Sequence, residues 1–289
     1  MGGIALARTG SGTCLPTIRA RDATTAKALF EFVAGLLDLR RVFHLLMRLG
    51  VVSRVTAAHR SDREFTYMKI LIYSMYFWPE PTGIGKYTGE MAFWLSARGH
   101  DVRVICPPPW YPHWNVQEPY SAKRFQTETV NGIEVHRCPI WVPKRPRGLT
   151  RSLCLGSFAL TSAVAAFKSI AWRPDVVFSV EPPFFCLPSA LVVARLSGAK
   201  AWLHIQDFEV DAALQLGLFR IPGSGSLLRW FEAFLIRRFD CISTISEKML
   251  ELLRERCRKP ERCLLFRNWV DLDSVHPMKT PSDFREFLG

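Results

Sequence analysis

The chain has 289 residues, a length that suits one large domain or two modest ones at roughly 150 residues each. Lys and Arg number 38 against 26 Asp and Glu, a formal net charge of +12, with 48% hydrophobic and 22% charged residues. That balance excludes a disordered chain and a highly charged coiled coil, and it leaves enough chain to bury a core.

Residues 1–67 read differently from the rest. Met1 to Thr24 has no period, with Arg8, Arg19 and Arg21 ahead of any apolar run and no signal-peptide shape. Lys27 to Val52 has helical spacing, with Leu29, Phe32, Val33, Leu36 and Leu37 on one side and Arg40, Arg41 and Arg48 among the polar positions. Three readings stay open: a basic amphipathic helix on an anionic membrane, a transit-type segment, or a stretch translated from an early start. Met68 opens so clean an apolar run that it would serve as a natural first residue.

From Met68 onward, apolar β-rich runs alternate with helical stretches. The expected strands are Lys69–Met75, Asp101–Pro107, Ile133–Ile140, Asp175–Val180, Lys200–Ile205, Asp240–Ile245 and Cys263–Arg267. The expected helices are Gly85–Arg98, Arg151–Trp172, Phe184–Leu196, Ser226–Arg238 and Ser246–Arg256. Continuous apolar strands followed by helices predict a parallel sheet covered on both faces, and right-handed crossovers make it a doubly wound, Rossmann-like α/β domain. The longest uncharged stretch, Ser152 to Phe167, falls short of the roughly 18–20 apolar residues of a spanning helix. The eight cysteines show no CxxC pairing and no metal-ligand spacing, which suggests a reduced, cytoplasmic compartment and no bound metal.

Ligands of such sheets bind beyond the carboxyl ends of the strands, so the loops that follow each strand are where chemistry is expected. The first runs from Tyr76 to Lys86, where Gly83 and Gly85 permit close backbone approach and the next helix aims its free N–H groups at the loop. It outlines a phosphate site, although it is neither GxGxxG nor a P-loop, and the glycines alone would also make a tight turn. The second loop carries His204, Gln206, Asp207 and Glu209 across a strand terminus. Alternation puts His204 and Gln206 on one face, His204 could equally be a satisfied core histidine, and Asp207, taken as buried, needs partners or a role. The third comprises Ser243–Glu247, with Ser246 as an expected N-cap, and Asn268–Asp271.

Taken in order, these segments resemble a family. Lys69-Ile-Leu-Ile72, the Gly83-Ile84-Gly85 loop, Leu95–Val104, Pro174–Val177, Glu181-Pro-Pro183, Gln206–Glu209, Ser243–Glu247 and Asn268–Asp271 are similar to the N-terminal half of bacterial retaining GT-B glycosyltransferases of the colanic-acid and exopolysaccharide type. The resemblance implies a transferase that moves a sugar from a nucleotide-sugar donor to a lipid-linked or polysaccharide acceptor, with no cofactor. By position, Gly83, Ile84 and Gly85 would close on the donor diphosphate. Asp207 first, then His204 and Gln206, would be the catalytic residues; Glu80, Lys86, Glu181 and Glu209 would face the acceptor. Many relatives carry a histidine where Gln206 or Asp207 stands here, and no nucleophile is implied.

The resemblance also divides the chain: an extension over 1–67, an acceptor domain over 68–275, and over 276–289 a linker that opens a donor domain. It implies that this chain alone transfers little or no sugar; the alternative is a remnant or an acceptor-site subunit of a separate catalytic chain. The excess of basic residues is weighed last. No nucleic-acid-binding signature is found, and the clusters Lys144–Arg147 with Arg151 and Arg254–Arg262 suit an anionic membrane better. The helix near Arg151, basic at its start and apolar after it, could lie in such an interface or be an ordinary core helix.

Overall fold

The computed structural model describes residues 67–81, 83–211 and 224–272. The expected helix over Lys27–Val52 and the segment 276–289 lie outside the described residues. Eight strands form one sheet: β1 (Lys69–Tyr73), β2 (Asp101–Cys106), β3 (Gln126–Val130), β4 (Ile133–Arg137), β5 (Val176–Glu181), β6 (Lys200–Ile205), β7 (Cys241–Thr244) and β8 (Cys263–Leu265). Their spatial order is β3-β4-β2-β1-β5-β6-β7-β8, and every pair is parallel except β3 with β4. This is the mostly parallel, Rossmann-like sheet expected from the sequence. The direction of winding reverses between β1 and β5, so the crevice beyond their carboxyl ends is the topological switch point.

The strands read as unbroken apolar runs because both faces are covered. On one face Ile70, Ile72, Val104, Val135, Phe178 and Val180 pack beneath helix α1 (Gly83–Ala97). On the other, Leu71, Tyr73, Val177, Leu203, Ile205 and Ile242 form the larger core. Helices α2 (Gly148–Lys168), α3 (Leu187–Ser197), α4 (Ser224–Ile236) and α5 (Glu247–Arg256) supply Phe158, Leu191, Leu235 and Leu253 to it. Fully burying one such leucine or phenylalanine contributes about 1.5–3 kcal/mol, so the two faces together carry most of the stability.

Helix boundaries follow local chemistry. The expected helix from Phe184 divides into a short 3-10 turn (Phe184–Cys186) and α3, whose first turn holds Pro188 and which ends at Gly198 in the left-handed region at φ 71°. Ser246 caps α5 as expected, its Oγ accepting the Met249 N–H. The α2 helix begins three residues before the expected Arg151, where the main-chain N–H of Arg147 donates to Thr150 Oγ1 at 2.9 Å.

Candidate functional site

Three loops converge beyond the carboxyl ends of β1, β5 and β6. The first turns at Gly83, whose φ of 55° favours glycine, and then enters α1. A Cβ on Gly85 would sit 2.9 Å from Glu80 Cβ, so this glycine lets the first turn of α1 lie directly on Glu80. Ile84, half-buried, packs on the core beneath α1. Lys86 lies 3.6 Å from Glu90 and over the ring of Tyr87, at the rim of the crevice.

Glu80 corrects one expectation. It is turned inward rather than toward an acceptor, because its Oε1 accepts the backbone N–H groups of Trp110 and Tyr111 at 3.1 and 3.0 Å. Burial pushes its carboxyl up to about 7 against the pull of those N–H groups and of Arg137.

The second loop divides between the two faces of the sheet. His204, on β6, is buried between Phe178 and Phe266 on the α1 face, with Nδ1 2.9 Å from Ser243 Oγ. Burial pulls the imidazole down to about 4, so it is neutral at physiological pH. Gln206 Oε1 accepts from Asn268 Nδ2 at 3.2 Å, and the next residue, Trp269, donates from Nε1 to Glu90 Oε2 at 2.7 Å. Trp269 also meets Tyr87 edge-on. The segment after β8 is thereby clasped onto both the β6 loop and α1.

Between them lies a cleft of about 10 Å³ lined by Tyr87, Thr88, Met91, Phe178, His204, Gln206, Phe266 and Trp269. That is room for about one water, so nothing larger reaches the imidazole through it. The α1 residues were not anticipated; only their helical spacing toward the glycine turn could have suggested them.

Carboxylates gather on the opposite face. Glu181, the last residue of β5, is fully buried, and neither carboxylate oxygen has a hydrogen-bond partner among the described residues. It corrects a second expectation: it faces the buried side of β5 beside Glu232 and Glu209 rather than the solvent from which an acceptor would come. Burial first, then those two carboxylates, pushes its carboxyl well above the usual range. Glu209, half-buried, accepts the Phe184 N–H at 2.8 Å, which ties the β6 loop to the turn after β5. Arg256 of α5 binds Asp211 and, at 3.1 Å, Glu232 of α4. Glu232 was not singled out in the sequence, and Arg256 was read only as part of the basic cluster Arg254–Arg262, whereas it turns inward to these two carboxylates.

Asp207 stands between the two groups and is exposed, so the argument from a buried carboxylate applies to Glu181 and not to it. Its exposure leaves it able to meet a ligand. Among the described residues no three His, Cys, Asp or Glu side chains are grouped to hold a metal ion.

A doubly wound sheet with a glycine turn, a clasped crevice and an exposed carboxylate at the carboxyl ends of its strands defines a Rossmann-like ligand-binding domain. Residues 82–269 match the family described as glycosyl transferase 4-like domain, and the chain belongs to that family. It is 46% identical over 208 residues to WcaI of Escherichia coli (strain K12), whose name gives a colanic acid biosynthesis glycosyl transferase. The match covers 71% of this chain and 51% of WcaI, so the chain spans about half the length of that curated relative. Among solved structures, Anabaena HepE, crystallised with UDP-glucose, is similar at TM-score 0.43 and 13% identity, over 71% of this chain and 45% of that one. A ugt transferase of Siraitia grosvenorii, crystallised with UDP, gives 0.36 and 15% over 64% and 46%.

Proposed function

We propose that this domain forms the acceptor side of a sugar-transfer site, serving transfer from a nucleotide sugar to a lipid-linked or polysaccharide acceptor in exopolysaccharide biosynthesis. The observation that carries the reading is the extent of the family match. It begins beside the glycine turn and ends on Trp269, so it spans both walls of the crevice.

In this reading the Gly83-Ile84-Gly85 turn and the free N–H groups of α1 face the donor diphosphate, where negative charge grows as the sugar departs. Asp207 and the Gln206 amide orient the acceptor hydroxyl at the mouth of the cleft. His204 shapes the floor as a neutral ring. Glu209 holds the loop that presents Asp207, and Lys86 adds a cation at the rim. The nucleotide sugar is substrate, and the reading invokes no cofactor.

Titration of the purified chain with soluble exopolysaccharide fragments and short-chain polyprenyl-diphosphate sugars, followed by backbone NMR, tests it. Perturbations are expected at 206–209 and at 83–88, with affinity lowered roughly tenfold or more in Asp207→Asn, whose exposed side chain leaves folding intact. Sugar ligands that perturb no resonance at this end of the sheet would overturn the reading.

A further inference from the structure

By length and composition α2 contains a stretch, Thr150–Lys168, apolar enough to cross a membrane, longer than the uncharged run suggested. Its inner side is nevertheless built into the core. Cys154, Leu155, Phe158 and Ala166 are buried, and Ser162 Oγ lies 2.5 Å from the Tyr73 hydroxyl. A helix tied down in this way lies along the sheet, and the opposite side of α2 faces outward.

That outward side is apolar. Leu153, Leu160 and Val164 fall one and two turns apart on one stripe and are all exposed, Leu160 at 78%. Exposed Trp141, whose main-chain N–H donates to Ser157 Oγ at 2.9 Å, extends the stripe, and Phe185 is exposed on the 3-10 turn that packs against α2. Single exposed apolar residues need no explanation, but several along one helical stripe point to an interaction site.

The charges around the patch identify its partner. Helix α2 contains no Asp or Glu, exposed Lys144, Arg145 and Arg147 precede its first turn, and Lys168 closes its last. A second copy of this chain would set cations against cations across a two-fold contact, and an anionic surface would not. Apolar side chains, an aromatic at the rim and flanking cations are the combination that interfacial helices use.

We propose that this face of α2 docks on an anionic phospholipid surface, with Leu153, Leu160 and Val164 entering the boundary of headgroups and acyl chains. Lys144, Arg145 and Arg147 meet the lipid phosphates. The α2 N-terminus lies at the carboxyl ends of the strands, the end of the sheet that carries the crevice, although α2 itself packs on the face opposite α1. The lipid-linked acceptor belongs to the reading above, but the docking surface does not depend on it.

The test is flotation of the full chain with vesicles of phosphatidylcholine alone and with about a third phosphatidylglycerol, at low and high salt. Binding is expected to need the anionic lipid, and Leu160→Asp with Val164→Asp should lower the partition coefficient at least about tenfold with the denaturation midpoint retained. Lys144→Glu with Arg145→Glu should remove the preference for phosphatidylglycerol.

Three results would overturn the proposal. One is no binding at low salt. Another is binding unaffected by the α2 changes but lost in Arg258→Glu with Lys259→Glu, in the basic groove between α4 and α5. The third is a dimer in sedimentation equilibrium that Leu160→Asp dissociates, which would assign the patch to a second copy. Soluble exopolysaccharide fragments bind without vesicles, so failure here and failure of the acceptor titration are separate outcomes.

Discussion

Ser243 sets how the buried imidazole of His204 is held. Its Oγ accepts the Trp202 indole N–H at 2.9 Å, which leaves its own proton for His204 Nδ1 at the same distance. One hydroxyl thereby satisfies a nitrogen of the buried His204 ring and the indole N–H of the partly buried Trp202. Removing it in Ser243→Ala leaves both without a partner, and the expected cost is about 1–3 kcal/mol in urea denaturation. Ser243→Thr keeps the hydroxyl and should recover much of that loss if the extra methyl fits. An alanine variant as stable as the parent would mean that the two nitrogens find other partners. The pair was only half legible in the sequence: period-two alternation gave the face of His204, but nothing in a single chain reveals that Ser243, on the next strand, is its register partner. Asp207 was misread for a related reason. Its place at a strand terminus suggested burial, while the strand's last residue on the neighbouring β5, Glu181, is the carboxylate that is buried.

Helices α4 and α5 are joined through a charged contact rather than by apolar packing alone. Arg256, in the last turn of α5, binds Asp211 and reaches Glu232 of α4, while its guanidinium lies 4.4 Å over the Phe208 ring. Glu232 is buried, and its second oxygen has no hydrogen-bond partner among the described residues. Arg256→Met leaves that carboxylate buried and uncompensated, for an expected loss of about 3–5 kcal/mol near pH 8. The loss should shrink toward pH 5, where Glu232 is protonated, and should be largely restored in Arg256→Met with Glu232→Met. Equal losses at both pH values would mean that packing on Phe208 matters more than charge. Element for element, the parallel strands and their helices were legible because doubly buried strands leave unbroken apolar runs. β3 was not. Gln126–Val130 is an edge strand whose Thr127 and Thr129 are exposed on one side and whose other side is only partly buried, so it carries no apolar run. Its signal was the Asn131-Gly132 pair, both at positive φ, which closes the hairpin to β4.

Across the whole molecule, the buried ionisable groups predict an unusual dependence of stability on pH. Glu80 and Glu232 are both raised to about 7, Glu181 well above the carboxylate range and Glu209 upward, in each case chiefly by burial. Each keeps its proton in the folded protein where the unfolded chain has released it. The stability they contribute is therefore fully present below about pH 4.5 and is lost as pH rises toward 7. His204, lowered to about 4, has the opposite sign, with stability present above pH 6.5 and lost as pH falls; His136 is lowered too, mainly by burial. Between pH 5 and 6.5 four carboxylates oppose two imidazoles, and the carboxylates prevail. Urea midpoints should fall as pH rises from 5 to 7, the reverse of ordinary acid denaturation, by more than one proton's worth, or about 1.4 kcal/mol per pH unit. Glu181→Gln removes the group with the least access to solvent and a charge-bearing form. It should match the parent near pH 4.5, exceed it above, and make the slope shallower by about 1.4 kcal/mol per pH unit. Stability that rises through this window would show that the carboxylates do not prevail, and a slope that Glu181→Gln leaves unchanged would show that Glu181 is not held protonated in the folded protein.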